Sequence, residues 1–178
     1  CNIDKKAAED VGRSSNRNLI KMRQDNMSQM IDMTSLKELT ERTVSVKDYL
    51  AHTTGPFRER ADERLRTYRL KEEVAGELKR YKNKVFVVVF SAEWCLKDCA
   101  PNVPVLPLLA DKTGIAVRVF GGLMRDPLNP KERWRIPPSP PEVRDFKVEK
   151  VPTIFVFDKN GEELGKIVEN PSAGKTLE

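Results

Sequence analysis

The sequence contains no hydrophobic run of the length that a membrane-spanning helix requires. Such a helix takes roughly 20 consecutive apolar residues, whereas the unbroken apolar run from Val85 to Phe90 is far shorter. Charged residues make up 33% of the chain and hydrophobic residues 39%, which is an ordinary balance for a soluble protein. We therefore expect a protein body without a membrane span.

Cysteine is also scarce, and occurs only as Cys1, Cys95 and Cys99. Small secreted domains that depend on a disulfide framework have more cysteines, in even numbers. A single close pair in a mixed α/β chain indicates redox or metal chemistry instead. The odd residue, Cys1, is either an ordinary first residue or the lipidated start of an extracytoplasmic lipoprotein. We expect the former, and with it a cytoplasmic protein.

Positive charge is not segregated along the chain. The 32 Lys and Arg residues exceed the 27 Asp and Glu residues by only five, and the two signs are mixed almost everywhere. Nucleic-acid binding would call for a basic face or stripe, so we predict no nucleic-acid partner. One local run is rich in arginine and is interleaved with Glu and Asp, which favours a solvated helix face. Its members are Arg58, Arg60, Arg64, Arg66 and Arg69.

The chemistry is concentrated between Lys84 and Pro107. The β-branched and aromatic run from Val85 to Phe90 predicts a strand that is buried on both faces. Cys95 and Cys99 follow where that strand ends and a helix is expected to begin, which is where open α/β sheets keep their active sites. A thiol at a helix N-terminus has a lowered pKa because of the free backbone N–H groups and the helix dipole. We expect Cys95 to have that position.

These residues resemble the active site of thioredoxin-like proteins. The resemblance rests on the segment from Ala92 to Cys95, on the second cysteine, and on Pro104, which is five residues beyond Cys99, where thioredoxins kink a helix. Further along, Val151-Pro152-Thr153 is similar to the cis-proline signature of that fold. Two predicted strands then close a hairpin; they are Ile154 to Phe157 and Leu164 to Val168.

The resemblance covers residues 84–178 and implies an α/β thioredoxin fold, with a central mixed sheet flanked by helices. It also implies a thiol–disulfide oxidoreductase that needs no cofactor and no metal. Its partners would be protein disulfide or dithiol substrates and a reductase or other thiol donor. Before this domain we predict a polar leader or extension over residues 1–33 and a helical extension over residues 34–83.

The same resemblance assigns roles to the residues around the thiols. Cys95 would be the exposed attacking thiol and Cys99 the buried resolving thiol, with Trp94 shielding the pair. The charges of the intervening residues would tune the pKa of Cys95: Lys97 would lower it and Asp98 would raise it.

Val151 and Pro152 are predicted to bind substrate. A cis bond before Pro152 would offer the backbone of Val151 to an extended substrate segment, in the manner of strand pairing. We also predict a disulfide between Cys95 and Cys99. Cysteines four apart in a helix have α-carbons near the upper part of the permitted range of about 4.4–6.8 Å, so a loosened first turn would accommodate the bond.

Two departures from the thioredoxin pattern bear on activity. The family spaces its cysteines C-x-x-C, whereas three residues separate Cys95 from Cys99. The family also has a buried aspartate six residues before the first cysteine, which accepts a proton from the resolving thiol, and here that position is Val89. Both changes are compatible with the fold assignment. The disulfide-exchange rate and the redox potential of the family, however, do not carry over to this chain.

A first alternative function is copper delivery. A C-x-x-x-C pair on this fold also resembles Sco-type proteins, in which both thiolates and a distant histidine bind copper, and soft thiolates suit Cu(I). That histidine follows the middle strand of the family, but residues 115–150 contain none. The single histidine, His52, lies in the N-terminal helical part, where a surface or capping role is the commoner one.

A second alternative is a redox-inactive thioredoxin-fold module that serves only for interaction. Val89 and the helical extension favour it, whereas Trp94, Cys95 and the second thiol argue against it, because a scaffold needs none of them.

Two further segments carry specific expectations. After Pro56 we predict one long helix, from Phe57 to Tyr81, that packs its apolar side on the sheet. Residues 123–147 form the least thioredoxin-like part. They would either shape the substrate surface beside the cysteines or form a plain surface loop with Trp134 tucked into the body.

Overall fold

The computed structural model describes residues 33–178, and their side chains from residue 37 onward. The leader predicted over residues 1–33, including Cys1, therefore lies outside the described residues except at its last position. The described chain contains seven helices, a 3₁₀ turn and five strands. In chain order these are α1 (Met33–Arg42), β1 (Val44–Ser45), α2 (Val46–His52), α3 (Gly55–Thr67), α4 (Glu72–Leu78), the 3₁₀ turn (Lys79–Tyr81), β2 (Val85–Phe90), α5 (Cys99–Asn102), α6 (Val105–Thr113), β3 (Ala116–Phe120), α7 (Glu142–Asp145), β4 (Thr153–Asp158) and β5 (Glu163–Val168).

The strands form one five-stranded mixed sheet in the order β1-β3-β2-β4-β5. β2 lies at its centre, parallel to β3 and antiparallel to β4, and β5 closes a hairpin with β4. The parallel pair needs a crossover connection, which α5 and α6 supply. The last four residues of β2 are buried, as the unbroken apolar run predicts. The predicted fold, a mixed sheet flanked by helices, is confirmed.

An aromatic cluster fills the core beneath the cysteine end of the sheet. Phe90, the last residue of β2, is fully buried and stacks on Phe120 of β3 with ring centroids 4.8 Å apart. Its ring also contacts Phe146 at 5.2 Å and Phe155 at 6.0 Å. These contacts join three strands and the turn after α7, so they position the loop that starts immediately after Phe90.

The segment between residues 34 and 83 contributes to the sheet as well as to its helical cover. Val44 and Ser45 pair with Val119 and Arg118 at the edge of β3. The Ser45 hydroxyl accepts a hydrogen bond from the Asp48 N–H and caps α2, which is the capping arrangement that the spacing predicts. Side chains of α2 and α3 belong to the same buried cluster as those of β2. The domain boundaries at residues 34 and 84 stay predictions.

The single long helix predicted from Phe57 to Tyr81 is wrong, because the chain leaves the helical conformation at Tyr68 and re-enters it at Glu72. Glu178 stabilises this break from the far end of the chain. Its carboxylate accepts hydrogen bonds from the Tyr68 hydroxyl at 2.6 Å and from the Lys71 N–H at 3.2 Å. A contact over 110 residues has no signature in the local periodicity.

Residues 123–147 pack against the body rather than standing away from it. Trp134 is 4% exposed and donates its indole N–H to the Val148 carbonyl at 2.6 Å, so it is tucked in, as one of the two interpretations predicts. Trp134 also forms a β-bridge with Arg125.

No helix in the described part of the chain is long and apolar enough to cross a membrane.

Candidate redox site

Cys95 lies in a turn that follows the central strand, and Cys99 lies just after that turn. β2 ends at Phe90, and the Ser91 N–H donates to the Phe120 carbonyl at 3.0 Å, which ties the start of the turn to β3. The Cys95 N–H then donates to Ala92 O at 3.1 Å. Because that contact closes a tight turn, Cys95 precedes the helix and α5 begins at Cys99. Cys95 thus precedes the helix in the chain, but its sulfur accepts the N–H of Cys99, the first residue of α5.

The thiols contact each other and the loop that contains the cis-proline. Cys95 and Cys99 are both free, and both are buried, Cys95 at 8% exposure and Cys99 at 0%. The Cys99 N–H donates to Cys95 Sγ at 3.3 Å. The Cys95 thiol in turn lies 3.4 Å from the Val151 carbonyl, to which it donates. The structure thus shows the dithiol form, with the sulfurs adjacent and Cys95 on the more accessible side; the disulfide stays a prediction.

Hydrogen bonding favours the thiolate of Cys95. Its pKa is lowered to about 6, chiefly because the Cys99 thiol donates a hydrogen bond to it. Burial acts in the opposite direction, as does the carboxylate of Asp98, while the backbone N–H groups of Cys99 and Asp98 lower the pKa further. These donors, which include the N–H groups at the start of α5, supply the stabilisation that a nucleophilic thiol needs.

The environment of Cys99 has the opposite effect. Burial raises the pKa of its thiol strongly, and its hydrogen bond to Cys95 raises it further. The backbone of Ala92 and the hydroxyl of Ser91 lower the pKa of this thiol, but by less than burial raises it. Near neutral pH the pair therefore consists of a thiolate at Cys95 and a protonated thiol at Cys99.

The titration of Cys95 yields a first prediction. Alkylation of Cys95 requires the thiolate, so its rate should fall as the pH drops through about 6. In a Cys99→Ala variant the largest stabilising hydrogen bond is lost, and we expect the midpoint to rise by about 1 to 2 pH units. Cys99→Ser is the matched control, because its hydroxyl can still donate and should keep most of the shift.

The measurement is the pH dependence of iodoacetamide alkylation, followed by mass spectrometry of the peptide containing Cys95. Equal midpoints in the parent and in Cys99→Ala would show that the neighbouring thiol does not set the ionisation of Cys95.

Trp94 joins the cysteine turn to the segment after β3. Its indole N–H donates to the Leu123 carbonyl at 2.7 Å, and the Arg125 guanidinium carbon lies 5.3 Å from the centre of its ring. The ring remains 44% exposed, beside the thiols. The start of the 123–147 segment therefore helps to form the surface around the cysteines.

The Val151–Pro152 peptide bond is cis, and both residues are buried. The carbonyl of Val151 accepts a hydrogen bond from the Cys95 thiol. The carbonyl of Pro152 accepts one from the Glu169 N–H at 2.7 Å. The structure thus brings Cys95, Cys99, Trp94, Val151 and Pro152 to one place. Their roles with substrate stay predictions.

Helix α3 supports the cysteine turn from the side. Arg60 donates to the Leu96 carbonyl at 2.9 Å, and Arg64 donates to the Pro101 carbonyl at 3.0 Å. The Thr54 N–H, at the start of α3, donates to Glu93 at 3.1 Å. The arginine-rich face is solvated at Arg60, which is exposed, and Arg60 and Arg64 also bind backbone carbonyls next to the cysteines. The sequence offers no signal for these contacts, because their partners are backbone carbonyls elsewhere in the chain.

A groove separates α3 from the cysteine turn. It has a volume of about 590 Å³, and Lys97 lines it together with Arg60 and Arg64. Lys97 thus faces the arginine helix, and its effect on the Cys95 pKa stays a prediction.

The described residues contain no group of three or more His, Cys, Asp and Glu side chains arranged to hold a metal ion. His52 lies at the end of α2, where its Nδ1 is 2.7 Å from the Asp48 carbonyl. This is the local helix-end role that the sequence favours for it.

Comparison with known proteins agrees with the fold. A family model described as thioredoxin matches residues 43–127, a little less than half of the chain. Over that segment the chain resembles the thioredoxin family. The match begins just before β1, so it includes part of the segment predicted as an extension.

Two solved structures share the fold with this chain at low sequence identity. A protein of unknown function from Pseudomonas aeruginosa is 17% identical, with a TM-score of 0.59 over 77% of this chain and 78% of that chain. An HIV epitope-scaffold is 16% identical, with the same TM-score and coverage. A reduced thioredoxin from Schistosoma mansoni is 25% identical over 54% of this chain and 76% of its own, with a TM-score of 0.35. No curated protein matches the sequence.

Proposed function

We propose that this protein is a dithiol–disulfide oxidoreductase that exchanges disulfides with protein substrates through Cys95 and Cys99. The observation that carries the proposal is the geometry of two adjacent thiols: the Cys99 N–H donates to Cys95 Sγ at 3.3 Å, and Cys99 is fully buried, which shifts the two pKa values in opposite directions, toward the thiolate at Cys95 and toward the thiol at Cys99. A scaffold has no use for such a difference. A two-step exchange requires it, because the attacking sulfur must ionise first.

In the first step the Cys95 thiolate attacks one sulfur of a substrate disulfide. A bond forms between Cys95 and that sulfur, the substrate S–S bond breaks, and the other substrate sulfur leaves as a thiolate that takes a proton from solvent. Cys95 needs access to the substrate. Its position at the edge of the site, beside the half-exposed Trp94, favours that access.

In the second step Cys99 loses its proton and attacks Cys95. The intramolecular disulfide forms, the mixed disulfide breaks, and the second substrate sulfur leaves and is protonated. The net result is a two-electron reduction of the substrate and oxidation of the pair. A reductase or another thiol donor then restores the dithiol; run in reverse, the same steps oxidise a substrate dithiol.

Substrate positioning is assigned to the cis-proline loop and Trp94. An extended substrate segment that paired with the backbone at Val151 would bring its disulfide to Cys95, whose sulfur contacts the same residue. Pairing of this kind uses main-chain hydrogen bonds and tolerates varied side chains, which suits a protein with several disulfide substrates.

Mixed-disulfide trapping tests the proposal. Cys99→Ser, in a full-length Cys1→Ser background, should accumulate covalent complexes with disulfide-containing proteins, because the first step proceeds and the second cannot. The complexes should appear on non-reducing gels and disappear with dithiothreitol. The matched control is Cys95→Ser, which should trap nothing because Cys99 is fully buried. A Cys99→Ser variant that forms no reducible complex would refute the exchange function.

A further inference from the structure

The groove between α3 and the cysteine turn, here called the α3 groove, has more positive than negative charge in its walls. Its volume of about 590 Å³ lies within the range of sites that bind ligands. Arg60 and Arg64 line it from α3, and Lys97 lines it from the cysteine turn. Glu63 is the single acidic residue among the described residues that line it. The α3 groove is therefore suited by its charge to an anionic ligand.

Backbone contacts orient the two arginines and leave most of their donors free. Arg60 uses Nη1 to donate to the Leu96 carbonyl at 2.9 Å, and Arg64 uses Nε to donate to the Pro101 carbonyl at 3.0 Å. The Arg64 guanidinium also lies over the ring of Tyr68, with its carbon 4.2 Å from the ring centre. A guanidinium has five N–H donors. The two Nη groups of Arg64 thus form a free edge whose shape matches a carboxylate.

The cations of the α3 groove also lack counter-ions. Arg58, on the same helix, forms an ion pair with Asp62 at 2.9 Å. In the part of the chain that the structure describes, no ion pair involves Arg60, Arg64 or Lys97. Arg60 and Lys97 are exposed and Arg64 is half-buried, so all three are open to a ligand from solvent.

The α3 groove lies next to the nucleophile. Lys97 is two residues from Cys95 in the sequence, so their α-carbons are at most about 7.6 Å apart. An extended peptide advances about 3.3 Å per residue. A substrate segment whose disulfide reaches Cys95 therefore brings residues two or three positions away to the edge of the α3 groove.

We propose that the α3 groove binds an acidic segment next to the disulfide of a protein substrate, through Arg60, Arg64 and Lys97. The inference rests on the proposed function and deepens it, because it names the class of substrate. A protein segment suits the site better than a small anion, since the cations stand on both walls of an open groove beside the residue that forms the mixed disulfide. The α3 groove takes no part in breaking or making bonds.

The exposure of these cations fixes the size of the expected effect. An ion pair that is open to solvent contributes little by itself and is screened by salt. Three cations that act on one segment add up, and they also speed the encounter with an acidic partner. We therefore expect a preference of about fivefold for an acidic segment at low ionic strength.

Binding is measured with peptides that contain no cysteine. A dye-labelled peptide of alternating Glu and Ser should bind the reduced full chain about fivefold more tightly than the same peptide with Gln in place of Glu, as read by fluorescence anisotropy. Lys97→Glu should weaken binding of the acidic peptide about fivefold, because an attraction becomes a repulsion. Lys97→Gln should weaken it by a smaller factor.

The matched control is Lys159→Glu, which makes the same change in net charge. Lys159 is exposed and follows Asp158, which pairs with Val85 at the end of the sheet away from the cysteine turn. Binding of both peptides should be unchanged in this variant. If Lys159→Glu weakens binding as much as Lys97→Glu does, the attraction is one of net charge and the proposal is overturned.

Turnover links the α3 groove to the exchange reaction. Two peptide substrates of equal length, each with one internal disulfide flanked by either Glu or Gln, are reduced by the protein with dithiothreitol as the recycling reductant. The ratio of kcat/KM for the acidic to the neutral peptide should be about five in the parent and near one in Lys97→Glu. A change in the ionisation of Cys95 alters both rates alike and cancels in this ratio. Added salt should also lower the ratio.

The outcomes separate the α3 groove from the exchange function. Equal binding of the two cysteine-free peptides by the parent overturns the proposal, while reduction of the neutral substrate keeps the exchange function. Displacement of the acidic peptide by citrate at an equal concentration of carboxylate assigns the groove to a small anion and overturns the proposal as well. Reduction of neither substrate, with preferential binding of the acidic peptide intact, refutes the exchange function and leaves the groove as a site for an acidic protein segment.

Discussion

Replacement of Cys95 by serine should abolish disulfide reduction, with a loss on the order of a thousandfold or more relative to the parent. A serine hydroxyl does not ionise near neutral pH, whereas the pKa of the Cys95 thiol is lowered to about 6. Cys99 cannot substitute for it, because it is fully buried and its pKa is raised. The measurement is turnover of a protein disulfide with dithiothreitol as the recycling reductant, corrected for the uncatalysed reaction.

The matched variant in this experiment is Cys99→Ser, which should keep the first attack and turn over more slowly than the parent, because dithiothreitol must then resolve its mixed disulfide in place of Cys99. The two variants should be indistinguishable from the parent in circular dichroism, since each changes one sulfur to oxygen in an otherwise intact turn. Turnover that survives in Cys95→Ser would contradict the assignment of the nucleophile, and turnover in Cys99→Ser as fast as in the parent would contradict the role of Cys99 as the resolving thiol.

Truncation of Phe90 should have the largest effect on stability, about 3 to 5 kcal/mol for Phe90→Ala. The ring is fully buried and touches three other phenylalanines at centroid distances from 4.8 to 6.0 Å. Its removal leaves a cavity, and each lost aromatic pair adds to the cost of reduced burial. Since domains of this kind are stable by about 5 to 15 kcal/mol, the variant would lose a large fraction of its free energy of unfolding.

Urea unfolding under reducing conditions measures this loss. The control is Leu128→Ala, because Leu128 is 86% exposed and its truncation should change the free energy of unfolding by no more than about 0.5 kcal/mol. A Phe90→Ala variant with the midpoint of the parent would show that the aromatic cluster does not hold the cysteine end of the sheet together.

The sheet was largely predictable, because its signals are local. The apolar run of β2 needs only a few residues to be recognised, and the hairpin strands predicted at Ile154 to Phe157 and Leu164 to Val168 are observed with small extensions at Thr153–Asp158 and Glu163–Val168. Alternation, β-branched content and a turn between two strands all fall inside short windows of sequence.

The local structure around the first thiol was only partly predictable from such windows. The spacing of Pro104 from Cys99 predicts the extra residue in the loop between the cysteines, and α5 begins only at Cys99. Because of this, Cys95 precedes the helix, and the hydrogen bonds that lower its pKa come from the Cys99 thiol and from the backbone N–H groups of Cys99 and Asp98. The helix N-terminus argument therefore predicts the direction of the Cys95 pKa shift, although its largest cause is the neighbouring Cys99 thiol.

The sequence by itself determined the class of fold and the identity of the two thiols, because strand patterning and cysteine spacing are encoded in neighbouring residues. Only the tertiary structure decided which groups surround them. Tyr49 is 42 residues from Ser91, and Arg64 is 37 residues from Pro101. Such pairs are set by the path of the whole chain, since a hydroxyl or a backbone carbonyl can bond to any donor that packing brings within reach. The difference in pKa between the two thiols depends on those contacts and on burial, and neither can be predicted from a short stretch of sequence.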